Sequence, residues 1–309
     1  MNRTEFKEYL MKHLKEYLPS DLQDAKIGFQ ENPKNHEVKE GIVIQKEGMT
    51  AVPILYLDWY DAAHPEEACR QIVSDYLKYI PQQEKLSMES ILSYSLEDIK
   101  MKLISREGNE NLLCKVPHLR QLDLAFVPYL EINSEMSFNV TYSYCDQKGW
   151  KPEAVVRAGM ENIQKEPMEF VSMEEKLAEM LGKEMIDDLP QIPKNERLYV
   201  LTNENGQFGA AQIGNPQVLK AIEQGLGESY YIFPSSVDEV LIQIESSDKN
   251  PEMLQDMVKT INETMVEPEK RLSDHIYRYS KEKGMEVYQD GRWFGKGKEV
   301  DKDHPGPKL

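Results

Sequence analysis

Near the start of the chain, apolar residues recur at helical spacing, with Phe6, Leu10, Leu14 and Tyr17 on one face. Asn2 with Glu5 makes a capping box and Pro19 stops the run, so an amphipathic helix is expected before Pro19. Its lysines, Lys7, Lys12 and Lys15, interleave with Glu5, Glu8 and Glu16, the pattern of a solvated face. Three short β-rich runs follow at 26–30, 41–45 and 51–57, separated by Asn-Pro and Glu-Gly turn signals. They predict a small antiparallel sheet. Pro65 opens a second helix carrying Ala68, Ile72, Val73, Tyr76 and Leu77, closed before Pro81. Over 85–104, Met88, Leu92, Leu96, Ile99 and Leu103 repeat at spacings of three and four and predict a longer helix.

Alternation of period two then appears twice. Leu122, Leu124 and Phe126 mark one strand at 121–127, and Phe138, Val140, Tyr142 and Tyr144 mark another at 137–144, together a hairpin. Pro152 begins a helix through Val155, Val156, Gly159, Met160 and Ile163, and Ser172 with Glu175 caps a shorter one ending at Gly182. Two prolines in 189–195 suggest a linker between an N-terminal α+β domain, 1–188, and a C-terminal one, 196–289. The stretch 198–243 reads as a ββαββ module: two apolar runs joined by an Asn205-Gly206 turn, a helix capped by Asn215, and two further runs. Asn250 and Pro251 start a helix bearing Leu254, Met257, Val258, Ile261 and Met265, and short strands are expected at 275–279 and 284–288. The segment 290–309 is rich in Gly, Pro and charge and is expected to be a disordered tail. The fold class is therefore α+β, with two small mixed or antiparallel sheets flanked by helices.

Composition narrows the function. The 309 residues suffice for a self-supporting core, and the net charge of −17 opposes binding to a phosphate backbone or an anionic membrane. Nucleic acid and membrane are thus not expected partners; a protein or a small molecule is. Three scattered cysteines, Cys69, Cys114 and Cys145, fit a reducing compartment, and the start lacks the apolar run of a secretory signal, so a cytoplasmic protein is expected.

No cofactor fingerprint is present: the glycines at 206, 209, 225 and 227 do not build the dinucleotide pattern. His118 near Cys114 and His64 near Cys69 do not repeat as a metal spacing, so no metal is expected. Ser235 and Ser236 follow Pro234 as turn residues without a nucleophile elbow. Glu204, Asp238 and Glu239 lie at expected strand ends, where carboxylates can hold a hard cation or transfer protons, and His275 is a candidate acid or base. Asp274 cannot orient His275, since neighbours on a strand point to opposite faces, so His275 needs a distant partner. Trp293 and Phe294 stand in the expected tail as a motif for a partner or for the chain's own sheet.

Two readings follow: a non-enzymatic binding or regulatory module, and a hydrolase using a divalent cation on those carboxylates. They part on whether Glu204, Asp238, Glu239 and His275 share one pocket.

The runs Leu198-Tyr-Val-Leu-Thr-Asn-Glu, Gly209-Ala-Ala, Tyr231-Ile-Phe-Pro-Ser-Ser-Val-Asp-Glu-Val-Leu and Leu272-Ser-Asp-His-Ile-Tyr-Arg-Tyr resemble an uncharacterised bacterial family, DUF5688. Lys46-Glu-Gly and Val116-Pro-His-Leu-Arg extend the likeness over nearly the whole chain. That family occurs mainly in anaerobic gut Firmicutes. The resemblance implies a bacterial cytosolic origin and carries over no activity and no catalytic residue.

Overall fold

The computed structural model describes residues 1–47, 52–83, 88–133, 136–182, 192–295 and 299–300. They form two compact units, Met1–Tyr94 and Ser95–Leu309.

In the first unit, Asn2 accepts from Glu5 N and Glu5 reaches back to Asn2 N, both at 2.9 Å, fixing the start of helix α1, Arg3–His13. Strands β1, Lys26–Lys34, and β2, Glu37–Gln45, pair antiparallel across a turn at His36, whose φ is 58°. Strand β3, Leu55–Tyr56, adds to β2, and helices α2, Pro65–Gln83, and α3, Met88–Ser93, complete the unit. Phe6, Leu10 and Leu14 meet Ile42, Ile44, Ile72 and Tyr76 in one core, where the Tyr76 hydroxyl donates to Ile44 O at 2.7 Å. Residue 51 of the expected third strand and residues 85–87 of the expected long helix lie outside the described residues.

The second unit runs β4, Lys100–Ser105; α4, Glu110–Leu113; β5, Leu119–Gln121; β6, Leu124–Asn133; β7, Met136–Asn139; α5, Tyr142–Lys148; α6, Pro152–Ile163; β8, Met168–Ser172; and α7, Met173–Leu181. It continues with β9, Tyr199–Asn203; α8, Pro216–Leu226; β10, Tyr230–Phe233; β11, Val240–Ile244; α9, Pro251–Met265; β12, Tyr277–Ser280; β13, Gly284–Gln289; β14, Arg292–Phe294; and β15, Glu299–Val300. One sheet has the order β14-β13-β12-β10-β11-β9-β8, and the other β15-β5-β6-β4 with β7 also on β6. Every pairing among the described strands is antiparallel, and the class is α+β.

Several expectations change. Among the described residues three sheets form rather than two. Residues 100–105 are strand β4, not helix, because Ile99, Met101 and Leu103 alternate into the core and Ser95 with Asp98 caps a short turn just before them. The 137–144 run splits into β7 and α5, since Thr141 accepts from Tyr144 N at 3.1 Å and starts a helix there. The second strand of the ββαββ module is a 3₁₀ segment, Gly209–Gly214, so Asn205-Gly206 turns the chain without making a hairpin. The boundary expected at 188–196 fails because β8 and β9, on either side of it, pair from Met168↔Asn203 to Ser172↔Tyr199. The proline-rich stretch joins neighbouring strands, and its first residues, 189–191, lie outside the described set. The expected tail instead continues the seven-stranded sheet as β14, while 301–309 are outside the described residues.

Candidate functional site

The 3₁₀ segment Gly209–Gly214 is buried at every position, which apolar and small residues permit. Gly209 packs where only glycine fits: a Cβ there would meet Asp238 O at 2.6 Å as well as Thr202 Oγ1 and Asn203 N. This tight approach draws the two turns of the module together. Thr202 Oγ1 donates to Asp238 O at 2.7 Å, and Asp238 Oδ1 accepts from Phe208 N at 2.9 Å. Phe208 is held in the left-handed region at φ 56°, a costly conformation for an aromatic residue. Its ring meets Tyr129 edge-on at 5.0 Å, with Lys102 above it at 5.3 Å.

Beneath the turns lies Glu166, from the loop between α6 and β8. Its carboxylate accepts from Asn203 Nδ2 at 3.2 Å and from Gln212 Nε2 at 2.9 Å. Burial pushes the Glu166 carboxyl above the ordinary range, against the opposing pull of Lys100 and the two amides. Burial, and then the charges of Glu166, Glu131 and Asp238, likewise raise the Tyr129 phenol. Lys100 is paired with Glu131, and Lys270 with Asp238 at 2.6 Å. Gln212 is fully buried and its Oε1 has no hydrogen-bond partner among the described residues. The arrangement sets a half-buried carboxylate against a fully buried amide, with the Tyr129 phenol near enough to feel the charge, and can hold a small polar group.

A second polar cluster joins the two sheets of this unit. Asp123 follows Leu122, whose φ is 58°, in the two-residue turn between β5 and β6, and Arg106 braces that turn through Leu122 O at 3.1 Å. The Asp123 carboxylate accepts from Ser273 Oγ at 2.9 Å, His275 Nδ1 at 3.0 Å and Tyr277 Oη at 2.8 Å. Burial raises the Asp123 carboxyl, but its bonds to His275, Tyr277 and Ser273 outweigh that and leave it below the usual range. The bond to Asp123 raises His275 despite the opposing effect of burial. With Nδ1 donating, the neutral ring keeps Nε2 as an acceptor. Ser273 bonds the carboxylate rather than the imidazole, so the three do not form a nucleophilic triad.

The model of a family of unknown function, DUF5688, matches residues 3–281. The chain belongs to the DUF5688 family. No curated protein and no solved structure matches it.

In this DUF5688 chain the four sequence candidates go to different surroundings. Glu204 is exposed in its turn. Asp238 joins the Glu166 cluster. Glu239 is half-buried; burial raises its carboxyl, Lys176 opposes, and Asp238 and Glu169 add to the rise. His275 has a distant partner, Asp123, although it lies in the bend before β12 rather than on the expected strand, while Asp274 Oδ1 accepts from Asn262 Nδ2 at 2.8 Å. Among the described residues, no group of three or more His, Cys, Asp or Glu is placed to hold a metal ion. Nor is any described helix long and apolar enough to cross a membrane.

Trp293 covers the chain's own sheet, stacked on Tyr231 at 6.1 Å with Arg278 over its ring at 4.5 Å, and Arg292 lies over Phe294 at 4.5 Å. Glu166, Tyr129, Gln212 and Asp123 carried no sequence signal: Glu166 reads as the end of a helix and Asp123 as one position of an alternating strand. Ser273, His275 and Tyr277 did carry one, three polar residues spaced by two; Tyr277 begins strand β12, while Ser273 and His275 lie in the segment just before it.

Proposed function

We propose that the chain is a non-enzymatic binding module that takes a small polar ligand where the 202–206 and 234–239 turns converge on Glu166. One observation supports this above the rest: the half-buried Glu166 carboxylate and the fully buried Gln212 amide stand together with an acceptor left unmatched among the described residues. Native proteins rarely leave such a group unsatisfied, because its desolvation is not repaid. The acidic charge and unpaired cysteines fit a cytoplasmic protein with no affinity for nucleic acid.

The test is thermal unfolding against a panel of charged and neutral polar small molecules, with wild type and Glu166→Gln side by side. A ligand that binds only the folded state raises its midpoint. At least one compound is expected to stabilise wild type and not the variant; a panel in which no response depends on Glu166 contradicts the proposal.

A second reading, hydrolysis, rests on the Asp123–His275 pair, in which a carboxylate-oriented imidazole keeps a free nitrogen that can take a proton from water. Turnover of simple esters, amides or phosphates, with or without Mg²⁺, Mn²⁺ or Zn²⁺, and its loss in His275→Ala, favours this reading. No turnover in any of these assays removes it.

A further inference from the structure

Resting on the reading that the Glu166 cluster binds a small ligand, the chemistry of that ligand can be narrowed. We propose that Gln212 Oε1 and the Glu166 carboxylate together hold a compact monovalent cation, either the ammonium head of a small amine or an alkali ion. Gln212 is 0% exposed, its Nε2 is committed to Glu166 Oε2 at 2.9 Å, and its Oε1 meets no donor among the described residues. The segment carrying it cannot easily shift to find one. A Cβ at Gly209 would press on Asp238 O at 2.6 Å, and one at Gly214 on the Phe126 ring at 2.7 Å.

Turning the amide over does not repair the mismatch, because it sets an oxygen against the carboxylate and leaves an N–H₂ group where the orphan oxygen was. The missing partner is therefore a donor or a cation. Charge separates these further. Glu131 is paired with Lys100 and Asp238 with Lys270, whereas the hydrogen bonds to Glu166 come from the neutral amides of Asn203 and Gln212. A carboxylate and an unmatched neutral acceptor thus lie side by side; Lys100, paired with Glu131, acts on Glu166 without a hydrogen bond to it, so among the described residues no cation bonds either group directly. The complete burial of Gln212 selects a compact occupant, and the Tyr129 phenol lies near enough to feel the Glu166 charge. A phosphate or carboxylate ligand meets the wrong sign at Glu166.

The test is thermal unfolding of the full chain at fixed ionic strength in the chlorides of ammonium, methylammonium, potassium, rubidium, sodium and tetramethylammonium. A saturable rise of about 2–4 °C is expected at tenfold excess over the dissociation constant, with tetramethylammonium, too large for the site, giving none. The rise disappears in Glu166→Gln and weakens in Gln212→Met, two near-isosteric changes whose folding is checked by circular dichroism. A response to ammonium and methylammonium alone assigns an amine, and an equal response to potassium and rubidium assigns an ion. Equal shifts in all six salts, or the same shifts in both variants, overturn the proposal. If neutral polar compounds, but no cation, give a Glu166-dependent shift, the binding site stands and its cationic ligand falls. If nothing depends on Glu166, both fall.

Discussion

Asp123 has to satisfy three donors from one turn, and its position makes it the residue whose removal is felt most widely. Asp123→Asn keeps the shape but loses the charge that Ser273, His275 and Tyr277 address, at a cost on the order of 2 kcal/mol by denaturant unfolding. The two titrations have opposite signs. The folded pKa of His275 is raised, so its contribution is complete below the ordinary imidazole range and is lost as pH rises through the raised value. The folded pKa of Asp123 is lowered, so its contribution is present above the ordinary carboxylate range and is lost as pH falls through the lowered value. Imidazole resonances followed by NMR are expected to show His275 titrating high in wild type and lower in Asp123→Asn; an unchanged His275 contradicts the pairing. Gly209→Ala tests the other cluster. Its Cβ meets backbone atoms rather than a yielding side-chain tip, so a loss of about 1–3 kcal/mol is expected. A neutral substitution denies the close approach on which the converging turns depend.

At the scale of elements, capping was the signal that read most reliably. The Asn2–Glu5 and Ser172–Glu175 boxes and the Asn215 and Asn250 caps all form as expected, because each satisfies amides within its own few residues. Asn215 is buried and accepts from Gln217 N at 3.0 Å, so Asn215→Ala is expected to cost about 1–2 kcal/mol, read as a lowered denaturant midpoint. Periodicity misled where tertiary packing chose between two patterns: Ile99 and Leu103 fit a helical repeat, yet with Met101 they alternate into the core just before and along strand β4. The same holds for Phe208 to Gly214, where an apolar run suggested a strand and packing at Gly209 made a 3₁₀ turn. The candidate site was legible only in part. Asp238 stood out as a carboxylate at an expected strand end. Glu166 and Gln212 did not, since they meet across 46 positions of sequence and nothing local marks them.

For the whole molecule, the proline-rich stretch at 189–195 gave a misleading boundary because composition cannot reveal that β8 and β9 pair across it. The units Met1–Tyr94 and Ser95–Leu309 each have their own buried core; that of the first runs from Phe6 to Tyr76. A fragment of residues 95–309 is accordingly expected to fold alone and keep the Trp293 environment, visible in near-ultraviolet circular dichroism. A featureless spectrum contradicts that division. The central claim is that the Glu166–Gln212 pair is a ligand site, and a crystal structure tests it most directly. Crystals of the full chain soaked in rubidium chloride should show an anomalous peak about 3 Å from Gln212 Oε1, displaced by ammonium and absent in Glu166→Gln. A bridging water in that position under every condition, unchanged by the soaks, contradicts the claim.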